Sequence, residues 1–175
     1  LKIISTDGPE VTIIDAAGSG APVNLEYAGY SILDGFTITG GNSTDEGGGV
    51  RCHVSDPTIR NAIVVGNHTT RGGGGISFWH CDAILENVVV ANNVSGTSST
   101  IGGGGMYVFS GSNVEMEHVT VSGNYNDNNR GGGMYLKGQC NVSLVSSIVW
   151  GNQAGYSGTN IQDNEIEMAK SAGAT

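Results

Sequence analysis

Acid–base chemistry has one place to gather in this chain: Asp45 and Glu46 lie a few residues from Arg51 and His53. Paired carboxylates beside a cation and an imidazole are the groups with which an enzyme protonates a leaving group and activates a nucleophile. The acids sit on a loop, however, and equivalent positions of the neighbouring segments carry no matching acids. We read the four as a solvated loop followed by outward strand residues, and assign no catalytic residue. Asn126-Asp127-Asn128-Asn129 offers the oxygens a hard cation takes, although one carboxylate is few for calcium. Calcium is therefore the sole cofactor candidate, and no metal ligand is assigned. His118 is expected to be a hydrogen-bonded turn residue. The sequons at Asn42, Asn67, Asn93 and Asn141 carry little information in so Ser/Thr/Asn-rich a chain.

The glycine runs at 47–49, 72–75, 102–105 and 131–133 do not suit a phosphate, because each leads into a strand with no Lys-Ser/Thr and no helix behind it. They read instead as joints of an internal repeat. After them come Val50-Arg51-Cys52, Ile76-Ser77-Phe78, Met106-Tyr107-Val108 and Met134-Tyr135-Leu136. Each unit closes on an asparagine, Asn67, Asn93, Asn124 or Asn152, at position 18, 18, 19 or 19 counted from the first strand residue. The stretch from that asparagine to the next glycine run varies as four, eight and six residues. A constant core with one elastic loop is the pattern of a stacked solenoid.

Aligning the units on the asparagine gives a second strand in each, at 33–39, 59–65, 85–91, 116–122 and 144–150. Ile38, Val64, Val90, Val121 and Val149 form a uniformly apolar, β-branched column that must face inward. Phe36, Ala62, Val88, Val119 and Ser147 are expected inside beside it, with Leu33, Ile59, Leu85, Met116 and Leu144 inside at the strand's start. Units of 26 to 31 residues with two or three strands match coils of a parallel β-helix, whose like residues stack about 4.8 Å apart. Its asparagines would bond from rung to rung as an amide ladder, while the glycines supply positive φ and close backbone approach.

Composition agrees. Thirty glycines, 13% charged residues and abundant Val, Ile, Ser, Thr and Asn favour short strands and tight turns. A net charge of −9 speaks against nucleic acid and anionic membrane surfaces as partners, and no apolar run is long enough for membrane insertion. Cys81 and Cys140 share a column two rungs apart, roughly 9–10 Å, which is too far for a disulfide. With Cys52 they read as small core or turn residues.

The chain resembles the right-handed parallel β-helix repeat proteins of bacteria, the pectin-lyase-like superfamily. The resemblance rests on Gly47-Gly48-Gly49-Val50-Arg51-Cys52, on Asp56-Pro57-Thr58-Ile59-Arg60-Asn61-Ala62-Ile63-Val64-Val65-Gly66-Asn67, and on the phrases Gly35-Phe36-Thr37-Ile38-Thr39-Gly40-Gly41 and Ser147-Ile148-Val149-Trp150-Gly151-Asn152. It implies an all-β, right-handed parallel β-helix of about six rungs. That superfamily hosts lyases, hydrolases, adhesins and structural rods, so fold alone does not choose among them. Its uronate lyases use calcium-binding carboxylates with an Arg or Lys base, and its hydrolases use paired Asp beside His and Arg or Lys. Neither constellation is found here.

Residues 1–175 are expected to form a single β-helix domain, part of or excised from a longer chain, with both ends inside a repeat. Leu1–Ser5 and Val11–Asp15 read as strands, and 161–175 starts a new rung, with helix an alternative for 166–171. Opposite the core, Trp79, Tyr107, Phe109 and Tyr135 are expected to form one aromatic patch on successive rungs. A second outward face carries Ile63, Val65, Ile148 and Trp150 and is unusually apolar for a solvated wall. Either is a candidate for partner or ligand binding, through sugar stacking or subunit packing, unless loops fold over it. The expectation is a non-catalytic structural or adhesive rod, extracellular or on a cell surface. Its partners would be copies of itself, stacked end to end, or a glycan. The rival is a fragment of a polysaccharide-active lyase or hydrolase, or a glycan-binding module.

Overall fold

The computed structural model describes residues 1–96, 101–155, 162–163 and 165–169. Its described residues contain strands and no helix, and they wind as a parallel β-solenoid of about five turns, close to the six rungs expected. The exceptions to parallel pairing are Gln153–Ala154 against Gln162–Asp163 and an isolated bridge between Gly20 and Asn42.

Each coil contributes to three walls and a short fourth. In the first wall, residues 50–53 pair with Ile76–Trp79, then Met106–Phe109, Met134–Lys137 and Ile166–Ala169. That last strand replaces the helical alternative at its start; 170–175 lie outside the described residues. The second wall stacks Asp82 through Glu86 on Asn113–Glu117 and Asn141–Val145, with Lys2–Ile4 at its other end. The third runs through the register Ile14, Ile38, Val64, Val90, Val121, Val149. Asn42–Ser43, His68–Thr69, Val94–Ser95, Tyr125–Asn126 and Gln153–Ala154 form the fourth.

The register reproduces the expected columns from Leu33 to Leu144 and from Ile38 to Val149 residue for residue, and the side chains of Ile38, Val64, Val90 and Val121 are fully buried. What differs is the second strand of each unit, which is bent. Asn61, Asn87, His118 and Ser146 stand at the bend with φ of 47°, 54°, 54° and 50°. A left-handed residue inserted in a strand turns the chain by one wall and resets the alternation. Ile59 and Ala62, three residues apart, therefore both point inward. Leu144 departs from its column: it is 40% exposed, because Met116 is its only rung neighbour among the described residues and its other side faces a cleft with Met134, Leu136 and Ile166.

Candidate functional site

The glycine runs build the corner between the fourth and first walls. Gly73 sets the turn with φ of 70°, as Gly47, Gly103 and Gly131 do on their rungs. Gly75 is needed for a different reason: a Cβ there would lie 2.7 Å from Val90 Cγ1 and 2.8 Å from the Gly105 carbonyl. Each coil thus leans its backbone on the next.

Against these glycines runs the asparagine column. The Asn67 Nδ2 donates to Asn93 Oδ1 at 3.0 Å, Asn93 to Asn124 at 3.0 Å and Asn124 to Asn152 at 2.8 Å. The same acceptor oxygens take the backbone N–H of Asn67, Asn93 and Asn124, each at 3.0 Å. The amide nitrogens of Asn67, Asn93, Asn124 and Asn152 also donate to the carbonyls of Ile38, Val64, Val90 and Val121. All four side chains are buried and bonded, which removes Asn67 and Asn93 as accessible sequons. At the last rung the Glu165 carboxylate takes the position of a fifth asparagine, accepting from Asn152 Nδ2 at 2.7 Å.

The aromatic residues do stack along the first wall. Trp79 and Phe109 lie at 6.0 Å with planes 7° apart, Tyr107 and Phe109 at 4.2 Å and 8°, and Tyr107 and Tyr135 at 5.6 Å and 18°. They do not form an open patch. Tyr107 and Tyr135 are only 2% and 1% exposed. Gly72 abuts the Tyr107 ring, and Arg130 lies over Tyr135, donating to its hydroxyl at 3.0 Å. Burial raises the Tyr107 phenol far above its ordinary pKa. Trp79 and Phe109 are partly exposed, with near-parallel ring planes whose centroids lie 6.0 Å apart.

The polar cluster regroups. Arg71, not Arg51, pairs with Asp45 at 3.8 Å and Glu46 at 3.1 Å. Arg51 and His53 turn to Glu26 at 3.4 Å and 3.1 Å, and the His53 ring lies 3.8 Å from Trp79 and 5.3 Å from Tyr27 between ring centroids. Glu26 was missed because no glycine run marks its strand, which aligns only through the pairing of Val23 with Val50. In the segment 126–129, Asn126 donates to Ser95 at 2.5 Å, Asn128 donates to the Ile101 carbonyl, and Asp127 accepts from Tyr125. Two of its amides are thus turned into the coil. Among the described residues, no three His, Cys, Asp or Glu side chains come together as a metal-binding group.

The third wall's outer face stays open. Ile63 and Val65 are partly exposed, Ile148 is 59% exposed and Trp150 74%. Cys52 and Cys81 are buried free thiols, and burial raises both pKa values. No protein-family model matches this chain, and no curated protein or solved structure does either.

Proposed function

We propose that the protein is an extracellular, non-catalytic structural or adhesive rod of the right-handed β-helix kind, similar to the pectin-lyase-like repeat proteins of bacteria, whose copies stack end to end. The observation that carries this reading is the use made of its polar and aromatic side chains. The asparagine column is consumed by bonds between rungs, and Tyr107 and Tyr135 are closed over, so residues that elsewhere bind ligands here join coil to coil. The decisive assay incubates the protein with pectate, alginate, chondroitin and neutral glycans, with and without calcium. Neither unsaturated products nor new reducing ends are expected, and electron microscopy should show unbranched filaments.

One grouping favours the rival reading of a polysaccharide-active or glycan-binding module: Glu26, Arg51 and His53 beside Trp79 and Tyr27. Turnover or glycan retention that disappears in an E26Q/H53A variant would establish it and displace the rod.

A further inference from the structure

We infer that the third wall is a self-pairing surface, on which two copies lie face to face with their solenoid axes antiparallel. This rests on the self-association reading above and names the surface that reading left open.

The register fixes the order of the outward residues. One column runs Ile13, Thr37, Ile63, Val89, Thr120, Ile148. By residue class that order is the same read from either end: aliphatic, threonine, aliphatic, aliphatic, threonine, aliphatic. Beside it run Asp15, Thr39, Val65, Ala91, Ser122 and Trp150; the four central members read hydroxyl, aliphatic, aliphatic, hydroxyl, again a palindrome, and the two ends do not match. A twofold interface brings residue i of one copy to residue j of the other and j to i. A twofold axis along the strands, between the Val65 rung and the Ala91 rung, lays Ile63 on Val89, Val65 on Ala91 and Thr37 on Thr120 of the second copy. On the four central rungs aliphatic then meets aliphatic and hydroxyl meets hydroxyl, while at the rims Ile13 lies on Ile148 and Asp15 on Trp150.

Charge selects the same wall. The molecule carries −9, and the second wall's outer side includes Asp82, Glu86, Glu115 and Glu117, on which two copies would repel. Across these two columns the one charge is Asp15, at an end beyond Thr39. A like-charged second copy can therefore approach here with least opposition.

Area limits the strength. Six rungs at about 4.8 Å and three residues at about 3.3 Å make roughly 300 Å² per partner, well below the ~800 Å² of a standard stable interface. The pair should therefore be weak, assembling at high micromolar to millimolar concentration.

The test combines sedimentation velocity over a dilution series from about 10 μM to 1 mM with cysteine cross-linking. In a C140S background, T39C and S122C proteins, whose cysteines would face each other across the pair and lie three rungs apart in either self-pair, are treated separately and as an equal mixture. The reagent is a short thiol-reactive cross-linker of about 10 Å, since a direct disulfide would not span facing sheets. A concentration-dependent dimer, and a mixed cross-link several-fold stronger than either protein alone, are expected. V89D, or A91E if V89D loses its β circular dichroism, should abolish the dimer and leave any end-to-end filaments intact. A monomer throughout the series overturns the inference, as does T39C cross-linking to itself as readily as to S122C. Either result leaves the rod reading standing, since filaments and turnover are read separately.

Discussion

Two of the asparagine columns on this solenoid make the same rung-to-rung bond in different surroundings, one buried and one at an exposed bend. Inside, Asn67, Asn93, Asn124 and Asn152 join through bonds of 2.8–3.0 Å. Outside, at the bend between the second and third walls, Asn87 donates to Asn61 at 2.9 Å and Asn61 to Asp34 at 2.8 Å. Bond lengths match, so the length of the rung-to-rung bonds alone would rank the two columns equal. Water decides otherwise: an exposed amide that loses its partner bonds to solvent, whereas a buried one is left with the full cost of desolvation. The inner column is therefore a spine, and the outer one a trim on corners that backbone conformation already sets.

The contrast breaks most severely by placing a charge in the dry interior. Val90 is fully buried between Val64 and Val121, and V90D should not fold, which circular dichroism of the purified chain will show. Next comes N93A. It strips the acceptor from both the backbone N–H and the side-chain amide of Asn67, and should lower stability by about 2–4 kcal/mol in urea titration. The outer counterpart, N87A, should cost about 1 kcal/mol, and for another reason: at its φ of 54° Asn is tolerated better than Ala. N87G, which keeps that conformation without strain, should fall within about 0.5 kcal/mol of wild type. If N87G costs as much as N93A, the distinction between spine and trim fails.

The smallest effect is a pH dependence at the outer column's acidic end. The Asn61 amide, and after it the Arg60 guanidinium, hold the Asp34 carboxyl below its ordinary pKa of 3.8. A depressed carboxylate contributes stability that is present above the unfolded value and fades as pH falls through the folded one. D34N should therefore be modestly less stable than wild type at neutral pH, with the gap closing below about pH 3.8. Urea midpoints of the two proteins across that range will check it.

How much of this was legible depends on which residues carried the signal. The core column was readable because Ile38, Val64, Val90, Val121 and Val149 repeat one shape, and repetition survives loops of any length. The bend was legible only in part: His118 was expected at a turn in the column of Asn61 and Asn87, but with Ser146 as the fourth member the column keeps a backbone conformation and not one side-chain type, so it does not announce a left-handed residue on every rung. The aromatic strip was legible as a stack and illegible as a buried one. Arg130, which lies over Tyr135, comes from the variable stretch after each asparagine, where no column exists to align, and Gly72 beside Tyr107 opens a glycine run with no side chain to signal the closure. Glu26 escaped for the related reason that its coil lacks the glycine run by which the others are found.

Backbone hydrogen exchange tests the spine most directly, because the N–H groups of Asn67, Asn93 and Asn124 each donate to the side chain of the next rung. These three amides should be among the slowest in the protein, exchanging only with global unfolding, and in N93A the amide of Asn67 should accelerate most. Exchange of the three at the rate of the exposed Asp7 amide, or an Asn67 amide indifferent to N93A, would contradict it.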